Sequence, residues 1–571
     1  MPVLALPSTP AAFAKATWDD IAPYYDELAE RPLSPETMGG WLQAWSTLEE
    51  LITEAAALAM IAYTGNTTDA EKEADHLRFS TEILPRAEER SVALARRLLD
   101  SGFTRADLET TIRRFRTASE IFREENVPIF AEVEEHCARY QRITGTMTAV
   151  WEGVERPLPQ LQPFLKSPDR EVRERAWRAS TEPYLARRDA LSALFGTMYT
   201  LRQRAAANAG FTNFRDYSFP AKFRFDYTPA DCERFHGAVE ATVVPAVERL
   251  FDQRRRRLRL DALRPWDLQV DPYREGPLRP FGTAAELVAR ARTVFERVSP
   301  ELGREFQTMV DARLLDLESR KGKAPGGYCE TLHFRGRPFI FMNAVGLVDD
   351  VNTLLHEAGH AFHAFASQAQ PLIWQRHPGS EAAELASMSM ELLAAPHLSG
   401  SGGFYTPAEA RSAELEHLED VLLALGHIAS VDAFQHWIYT SGDGGDPAAR
   451  DETWLRLRAR FERGVDWSGL ERQRIARWYR QLHVFLYPFY YIEYGIAQLG
   501  ALQVWRNGLR DPAGAVARYR TALALGATRP LPEIYRAAGA ELSFDARLMG
   551  ELVTLVEERI AALRAGLPEQ R

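Results

Sequence analysis

Two histidines four residues apart, with a glutamate directly after the first, have the spacing in this chain that most clearly indicates chemistry. They are His356, Glu357 and His360 in the segment HEAGH. Positions four apart share one face of an α-helix, so both imidazoles can bind one metal ion. Glu357 can then act as a general base toward the water that the metal activates. The pattern predicts a catalytic zinc site.

The residues around this motif favour a metal site over a chance match. Residues 351–365 are mostly apolar, as in a buried helix. Asp349 and Asp350 lie at its expected N-terminus, where the helix dipole favours acidic side chains. Burying two histidines and a glutamate on one helix face without a metal would also be costly.

A catalytic zinc needs a third protein ligand and an open position for water. A second predicted helix, SEAAELASMSMELL, offers Glu381, Glu384 and Glu391 on one face. Helical periodicity does not choose among these three carboxylates. His363 is a competing ligand, but its spacing from the other two histidines favours a packed or supporting role.

The segment resembles the zinc oligopeptidases of the thimet oligopeptidase and oligoendopeptidase F family, in its bacterial branch. HEAGHAFH is followed, 24 residues after His360, by Glu384 in AELASMSMELL. GGYCETLHFRGRPFIFMN and DYSFPAKFRFDYTPADCERF also resemble family segments, so the resemblance covers residues 216 to about 500. It implies one Zn²⁺ per chain, with Glu384 as the third ligand and Glu391 as a carboxylate supporting the ligands. We place Asp350 in the same supporting group.

The family also uses a histidine and tyrosines from a C-terminal loop, which corresponds here to HVFLYPFYYIEYG starting at His483. Tyrosine hydroxyls are suitable donors to the oxyanion that forms when water adds to a peptide carbonyl. The loop is one residue shorter before Tyr487 than in eukaryotic members. The resemblance implies catalytic roles for His483, Tyr487 and Tyr494, and leaves the middle position open between Tyr491 and Tyr490. We otherwise assign Tyr490 to substrate binding. The structural alternative is an aromatic packing stripe.

Two short β-rich segments before the motif predict a hairpin or small sheet. A strand edge can hold an extended peptide through main-chain hydrogen bonds. By family analogy, the residues lining this edge are Gly326, Gly327, Tyr328, Phe341, Met342 and Asn343. The alternative is that Tyr328 and Phe341 simply pack against the zinc helix.

Helix-start signals recur along the rest of the chain and predict a mainly α fold. Examples are Thr68 with Glu71, Thr283 with Glu286, and Thr406-Pro407 with Glu409. The resemblance implies a two-lobed helical ellipsoid with a deep central channel and a small sheet beside the zinc helix. We divide this continuous fold into an N-terminal helical region, residues 1–200, and a catalytic region, residues 201–571.

Composition narrows the classes of protein that fit. The 571 residues carry a net charge of −10, which argues against a general nucleic-acid binder. The three widely spaced cysteines indicate neither a disulfide framework nor a cysteine zinc site. Apolar runs are too short to span a membrane, and the N-terminus lacks a secretory pattern. We therefore expect a cytoplasmic protein with no membrane partner.

These features together predict a zinc endopeptidase that cleaves short, unfolded peptides. The resemblance implies that the channel excludes folded proteins. One rival is a zinc carboxypeptidase of similar fold, which needs a positive group for the substrate's terminal carboxylate. The sequence indicates no particular arginine for that role. Another rival is an inactive, metal-bound peptide-binding protein, against which the intact Glu357 counts.

Overall fold

The computed structural model describes residues 4–274, 276–320, 322–324 and 326–567, and helices dominate this part of the chain. The earlier α-helices are α1 (Trp18–Glu30), α2 (Met38–Gly65), α3 (Ala70–Leu77), α4 (Leu84–Asp100), α5 (Glu109–Ile121), α6 (Asn126–Gly145), α7 (Gln162–Leu165), α8 (Arg170–Ala186), α9 (Arg188–Asn208), α10 (Phe214–Ala221), α11 (Pro229–Ala238) and α12 (Val244–Arg257). The later ones are α13 (Ala284–Val298), α14 (Pro300–Asp311), α15 (Val348–Ser367), α16 (Ile373–Arg376), α17 (Ser380–Ala394), α18 (Pro407–Thr440), α19 (Pro447–Phe461), α20 (Glu471–Tyr479), α21 (Leu482–Leu486), α22 (Tyr491–Gly508), α23 (Pro512–Ala524), α24 (Leu531–Ala537) and α25 (Ala546–Ala565). The mainly α class is confirmed.

Two small sheets accompany the helices. Strands β1 (Thr148–Trp151) and β2 (Val154–Pro157) form an antiparallel hairpin. Strands β3 (Leu315–Glu318), β4 (Tyr328–Leu332) and β5 (Arg337–Ala344) form a sheet in the order β3-β5-β4. The predicted pairing of β4 with β5 is confirmed as antiparallel. β3, which pairs parallel to β5, and the β1–β2 hairpin were not predicted.

Several predicted helix starts are confirmed by their hydrogen bonds. Thr283 and Thr406 each accept from the backbone N–H three residues later. Helix α3 differs, because its cap is Asp69, whose carboxylate accepts from two backbone N–H groups, and not Thr68. The Thr68 hydroxyl instead donates to Asn66 Oδ1 at 2.8 Å. A nearby aspartate has therefore displaced the predicted threonine cap.

The apolar core falls into one large cluster and smaller ones. The large cluster draws on residues between positions 57 and 563, including most buried apolar side chains of α9. A second cluster joins residues 13–115 with Leu372. The division of the chain at residue 200 stays a prediction. In the described residues, no helix is both long and apolar enough to cross a bilayer.

Helix α17 lies close to α15 and to α22 at glycine positions of those two helices. A Cβ atom at Gly359 of α15 would lie 2.5 Å from Ser387 Cα of α17. A Cβ at Gly500 of α22 would lie 2.7 Å from Leu385 Cδ1 of α17. Because real Cβ atoms do not approach so closely, these glycines permit the contact. The HEAGH motif therefore lies on a helix that is packed tightly against the helix carrying Glu384.

Candidate metal centre

Three ligand atoms from α15 and α17 converge. His356 Nε2 lies 3.2 Å from Glu384 Oε2, and His360 Nε2 lies 3.6 Å from the same oxygen. Two atoms each about 2.1 Å from a tetrahedral zinc are about 3.4 Å apart. The His356, His360 and Glu384 donor set therefore fits a zinc ion in both atom types and spacing.

Neighbouring side chains hold these ligands in place. Glu391 Oε1 lies 2.7 Å from His356 Nδ1, so this carboxylate can orient the imidazole. Ser387 donates to Glu384 Oε2 at 2.9 Å, and Tyr490 donates to Glu384 Oε1 at 2.8 Å. The Tyr490 contact joins the C-terminal loop directly to a ligand.

Burial and mutual charge determine the protonation of the ligands. Burial alone would lower the pKa of His356, but its hydrogen bonds to Glu384 and Glu391 raise it well above the usual range. Burial lowers the pKa of His360 to about 4. Burial opposes ionisation of Glu384, yet the two histidines and Tyr490 lower its pKa to about 2. The ionised Glu384 and the neutral His360 are in the forms that bind zinc, whereas His356 must release a proton when the metal binds.

Glu357 lies beside the ligands in an apolar setting. Its side chain is buried, and burial raises its pKa to about 7, with Glu384 and Glu391 adding to the rise. A carboxyl group with a pKa near the working pH can both accept and return a proton. A Cβ at Gly327 of the segment before β4 would lie 3.5 Å from Glu357 Oε1. The base therefore faces the start of β4.

The segment that was expected to be a C-terminal loop is largely helical, because His483 lies in α21 and Tyr494 lies in α22. This segment, residues 483–494, is called the phenol loop, and it brings a histidine and phenols to the same place. Tyr494 and His483 are close, with the hydroxyl 3.3 Å from Nε2. The rings of Tyr490 and Tyr494 are 5.0 Å apart. Burial raises the pKa of both phenols, and the Glu384 charge adds to this, so both stay protonated as donors. Burial lowers the pKa of His483 to about 4.

The other two tyrosines of the loop are placed differently. The Tyr491 hydroxyl donates to Gln481 Oε1 at 2.8 Å. Tyr487 is 53% exposed, and its ring lies 5.9 Å from the ring of His483. At the middle position that the sequence left open, Tyr490 is thus the tyrosine that contacts a ligand. Catalytic roles for His483, Tyr487, Tyr491 and Tyr494 stay predictions.

The remaining carboxylates and histidine of the motif region have other contacts. Asp350 accepts from the backbone N–H groups of Val345 and Leu347, both at 2.8 Å, so it caps α15 and does not brace a ligand. Glu381 accepts from Tyr227 at 2.5 Å. Burial lowers the pKa of His363 to about 3, as for a packed neutral histidine. The supporting role expected of Asp350 is thus replaced by a helix cap.

The predicted substrate-binding residues divide between two strands. Gly326, Gly327 and Tyr328 lie at the start of β4, which is an edge strand. Phe341 and Met342 are buried in β5, which is the central strand, so the prediction that they line an edge is wrong. Tyr328 and Phe341 stack with centroids 4.8 Å apart. Asn343 donates to the backbone oxygens of Ala324 and Gly326, which shapes the approach to β4.

The sequence did not predict the roles of Ser387, Lys222 and Arg224. Ser387 has a local signal, since it lies three residues after Glu384 on the same helix face. Arg224 and Lys222 lie in a segment that resembles the family, but nothing in the sequence assigned them a partner. They pair with Glu493 at 2.7 and 3.4 Å, and Lys222 Nζ lies 5.3 Å from the Tyr490 ring. These cations position the phenol loop from a distant part of the chain.

Comparison with known proteins places the chain among peptidases. The model of "Peptidase family M3" matches residues 164–553, and that of "Peptidase M3 N-terminal domain" matches residues 10–119. Oligopeptidase PepF of Bacillus subtilis (strain 168) is 22% identical over 392 residues, which are 66% of this chain and 55% of that protein. The chain thus spans little more than half the length of this curated relative.

Solved structures match over nearly the whole chain. An X-ray structure described as an oligoendopeptidase F has a TM-score of 0.91 and 28% identity, covering 96% of this chain and 97% of that one. PZ peptidase A, solved with an inhibitor, has a TM-score of 0.89 and 27% identity, covering 98% of both chains. The resemblance seen in the sequence is confirmed. The chain belongs to peptidase family M3.

Proposed function

We propose that this protein is a zinc-dependent endopeptidase that hydrolyses short, unfolded peptides. The observation that carries the proposal is the convergence of His356, His360 and Glu384 on one point beside the buried carboxyl group of Glu357. The relatives named above are an oligopeptidase and an oligoendopeptidase, which supports the same substrate class. Zinc follows from the ligand types, and cobalt or manganese can also support such a site.

A zinc ion held by these three ligands would polarise the peptide carbonyl and make water a better nucleophile. Glu357 accepts the proton of the attacking water and delivers it to the departing amine nitrogen. Its burial supports both transfers, because it keeps the pKa near neutrality. Glu391 holds the His356 ring in orientation through Nδ1.

Phenol groups from the loop supply hydrogen bonds to the developing oxyanion. Tyr494 and Tyr490 remain protonated, and their rings lie side by side near Glu384. The Tyr494 hydroxyl is therefore the first candidate donor, and the Tyr490 hydroxyl, which donates to Glu384 Oε1, is the second. His483, 3.3 Å from the Tyr494 hydroxyl, can accept its hydrogen bond or donate in turn.

The free edge of β4 is the candidate docking line for the substrate backbone. Main-chain pairing holds a peptide with little demand on its side chains. Gly327 precedes this strand and lies against Glu357 and Thr353, where a larger residue would crowd the base. A peptide paired with β4 would thus pass close to the general base.

Fluorescence-quenched peptides blocked at both ends test this proposal. We expect cleavage at internal bonds, with product masses identifying the site, loss of cleavage after chelation, and recovery when zinc is restored. Cleavage of peptides with a free C-terminus alone would favour the carboxypeptidase. A metal-loaded protein that cleaves neither kind would favour the peptide-binding alternative.

A further inference from the structure

A second cluster of metal-binding side chains lies between α11 and α18, outside the site described above. Ligand atoms of Cys232, Asp432 and His436 all lie within 4.8 Å of one another. Cys232 and Asp432 are fully buried, and His436 is 6% exposed. None of these residues takes part in the proposed peptidase chemistry.

On each of the two helices, the residues of this region are four positions apart, which is a spacing that suits metal ligands. Cys232 and His236 are four residues apart in α11, and Asp432 and His436 are four apart in α18. Each pair therefore occupies one face of its helix, and the two faces meet. His236 Nε2 lies 2.7 Å from Asp432 Oδ2, so His236 contacts the carboxylate from the opposite helix.

Several buried polar atoms of the cluster have no hydrogen-bond partner in the part of the chain that the structure describes. Neither ring nitrogen of His436 has a hydrogen-bond partner among the described residues, and Asp432 Oδ1 also has none. Buried polar groups without partners are rare because their desolvation is uncompensated. His436 Nε2 nevertheless lies 3.4 Å from Asp432 Oδ2. That separation equals the spacing of about 3.4 Å expected for two ligands of one tetrahedral zinc.

A simple buried ion pair accounts for less of this arrangement. His236 contacts Asp432 Oδ2, the oxygen that His436 Nε2 also approaches, but Asp432 Oδ1 and His436 Nδ1 have no hydrogen-bond partner within the described ranges. The rings of Phe219, Phe489 and His236 meet His436 edge to face, at centroid distances of 6.3, 5.5 and 5.7 Å. The phenylalanine rings offer no conventional acceptor, and His236 Nε2 is hydrogen-bonded to Asp432. A thiol, a carboxylate and an imidazole are together a donor set that suits a borderline metal ion such as zinc.

We propose that Cys232, Asp432 and His436 bind a second divalent transition-metal ion of the zinc type in a buried site with a structural role. The Cys232 thiol gives up its proton to solvent as the sulfur binds the metal. His236 orients Asp432 by hydrogen bonding to Oδ2, the same oxygen that lies 3.4 Å from His436 Nε2. The ion would join α11 to α18 and bring the metal content to two per chain, where the sequence predicted one.

The second site also lies beneath the phenol loop. Phe489 N–H donates to Gln435 Oε1 at 3.2 Å, and Gln435 precedes His436 on α18. Phe489 itself precedes Tyr490 and has a φ of +62°, a left-handed conformation that its surroundings must hold in place. A metal on α18 would therefore stiffen the support of this turn.

Cobalt spectroscopy on the full-length protein distinguishes the two sites, because a thiolate ligand gives Co²⁺ a charge-transfer band in the near ultraviolet. The HEAGH site has no thiolate ligand. The protein would be stripped of metal and titrated with Co²⁺ alone. We expect two equivalents to bind and the band to appear. The double variant Cys137→Ser/Cys329→Ser, which retains Cys232 as its sole cysteine, should keep the band.

Two further variants complete the test. Cys232→Ser should lose the band and one metal equivalent, whereas His360→Ala should lose the other equivalent and peptidase activity but keep the band. One equivalent and no band in the double variant would overturn the proposal, even if Cys232→Ser fails to fold. Failure of the proposed peptidase function would instead appear as an absence of cleavage with the band intact.

Discussion

The HEAGH site and the Cys232 cluster have the same arrangement of side chains on helices, but their proposed roles are catalytic and structural. Each takes side chains four residues apart on one helix and faces them with side chains of a second helix. His356 and His360 remain 22% and 21% exposed, whereas Cys232 and Asp432 are fully buried. A catalytic metal needs an open position, and a structural one does not.

The side chains around the two clusters also differ, in their ability to transfer protons or donate hydrogen bonds. The HEAGH site has a carboxylate base, Glu357, and two protonated phenols within reach of the ligands. In the Cys232 cluster, phenylalanine rings contact His436, and the neighbouring His236 is hydrogen-bonded to Asp432. If both proposed sites bind metal, we expect the groups around the ligands, and not the ligands alone, to determine which site performs catalysis.

Removing the base is the change with the largest expected effect. Glu357→Gln keeps the size of the side chain but cannot accept a proton. We expect kcat/KM on a blocked peptide to fall by about 10²–10⁴-fold. Metal content, measured by elemental analysis, should not change. Activity above about one tenth of wild type would show that proton transfer does not depend on this residue.

The phenols provide a smaller and more selective test. Tyr494→Phe should lower kcat/KM by about 10²–10³-fold if its hydroxyl stabilises the oxyanion. Tyr490→Phe should cost about 10–100-fold through its lost contact with Glu384. Tyr491→Phe is the matched control from the same loop, since its hydroxyl contacts Gln481, and should stay within about twofold. Equal losses in all three variants would contradict this division of roles.

The helix contact beneath the HEAGH site can be tested through stability. Gly359→Ala would place a Cβ 2.5 Å from Ser387 Cα, which forces α15 and α17 apart. We expect about 1–3 kcal/mol of destabilisation in urea unfolding, with weaker metal binding. Gly196→Ala in α9 is the control, because nothing lies within 4 Å of its Cβ position. It should be neutral or stabilising by about 1 kcal/mol. Equal effects would show that helix propensity, and not close packing, governs Gly359.

Local signals were sufficient for the two histidines of the HEAGH motif and for much of the fold. The spacing of His356 and His360 follows from the helical repeat, and the helix starts at Thr283 and Thr406 follow from the capping preferences of threonine. The β4–β5 pairing follows from two short β-rich runs on either side of a turn. Each of these features depends on residues within a few positions of one another.

Local signals did not predict the contacts between segments that are far apart in the sequence. The sequence listed three glutamates on one face of α17, and the packing of α15 against α17 brings Glu384 to both histidines while Tyr227 holds Glu381. It likewise left Tyr490 and Tyr491 equivalent, and the turn at Phe489 separated them. Asp350 was misassigned because its partners are backbone groups, which any sequence offers.

The sequence by itself determined that a helix carries two histidines and a glutamate suited to a metal, within a mainly helical chain of peptidase type. Only the tertiary structure showed how Glu384, which the family resemblance had assigned, reaches both histidines, that Tyr490 contacts it, and that Cys232 meets Asp432 and His436. The physical reason is that helical periodicity orders side chains along one element. Which faces of two elements meet depends on close packing across hundreds of residues, and the sequence spacing of a motif does not record it.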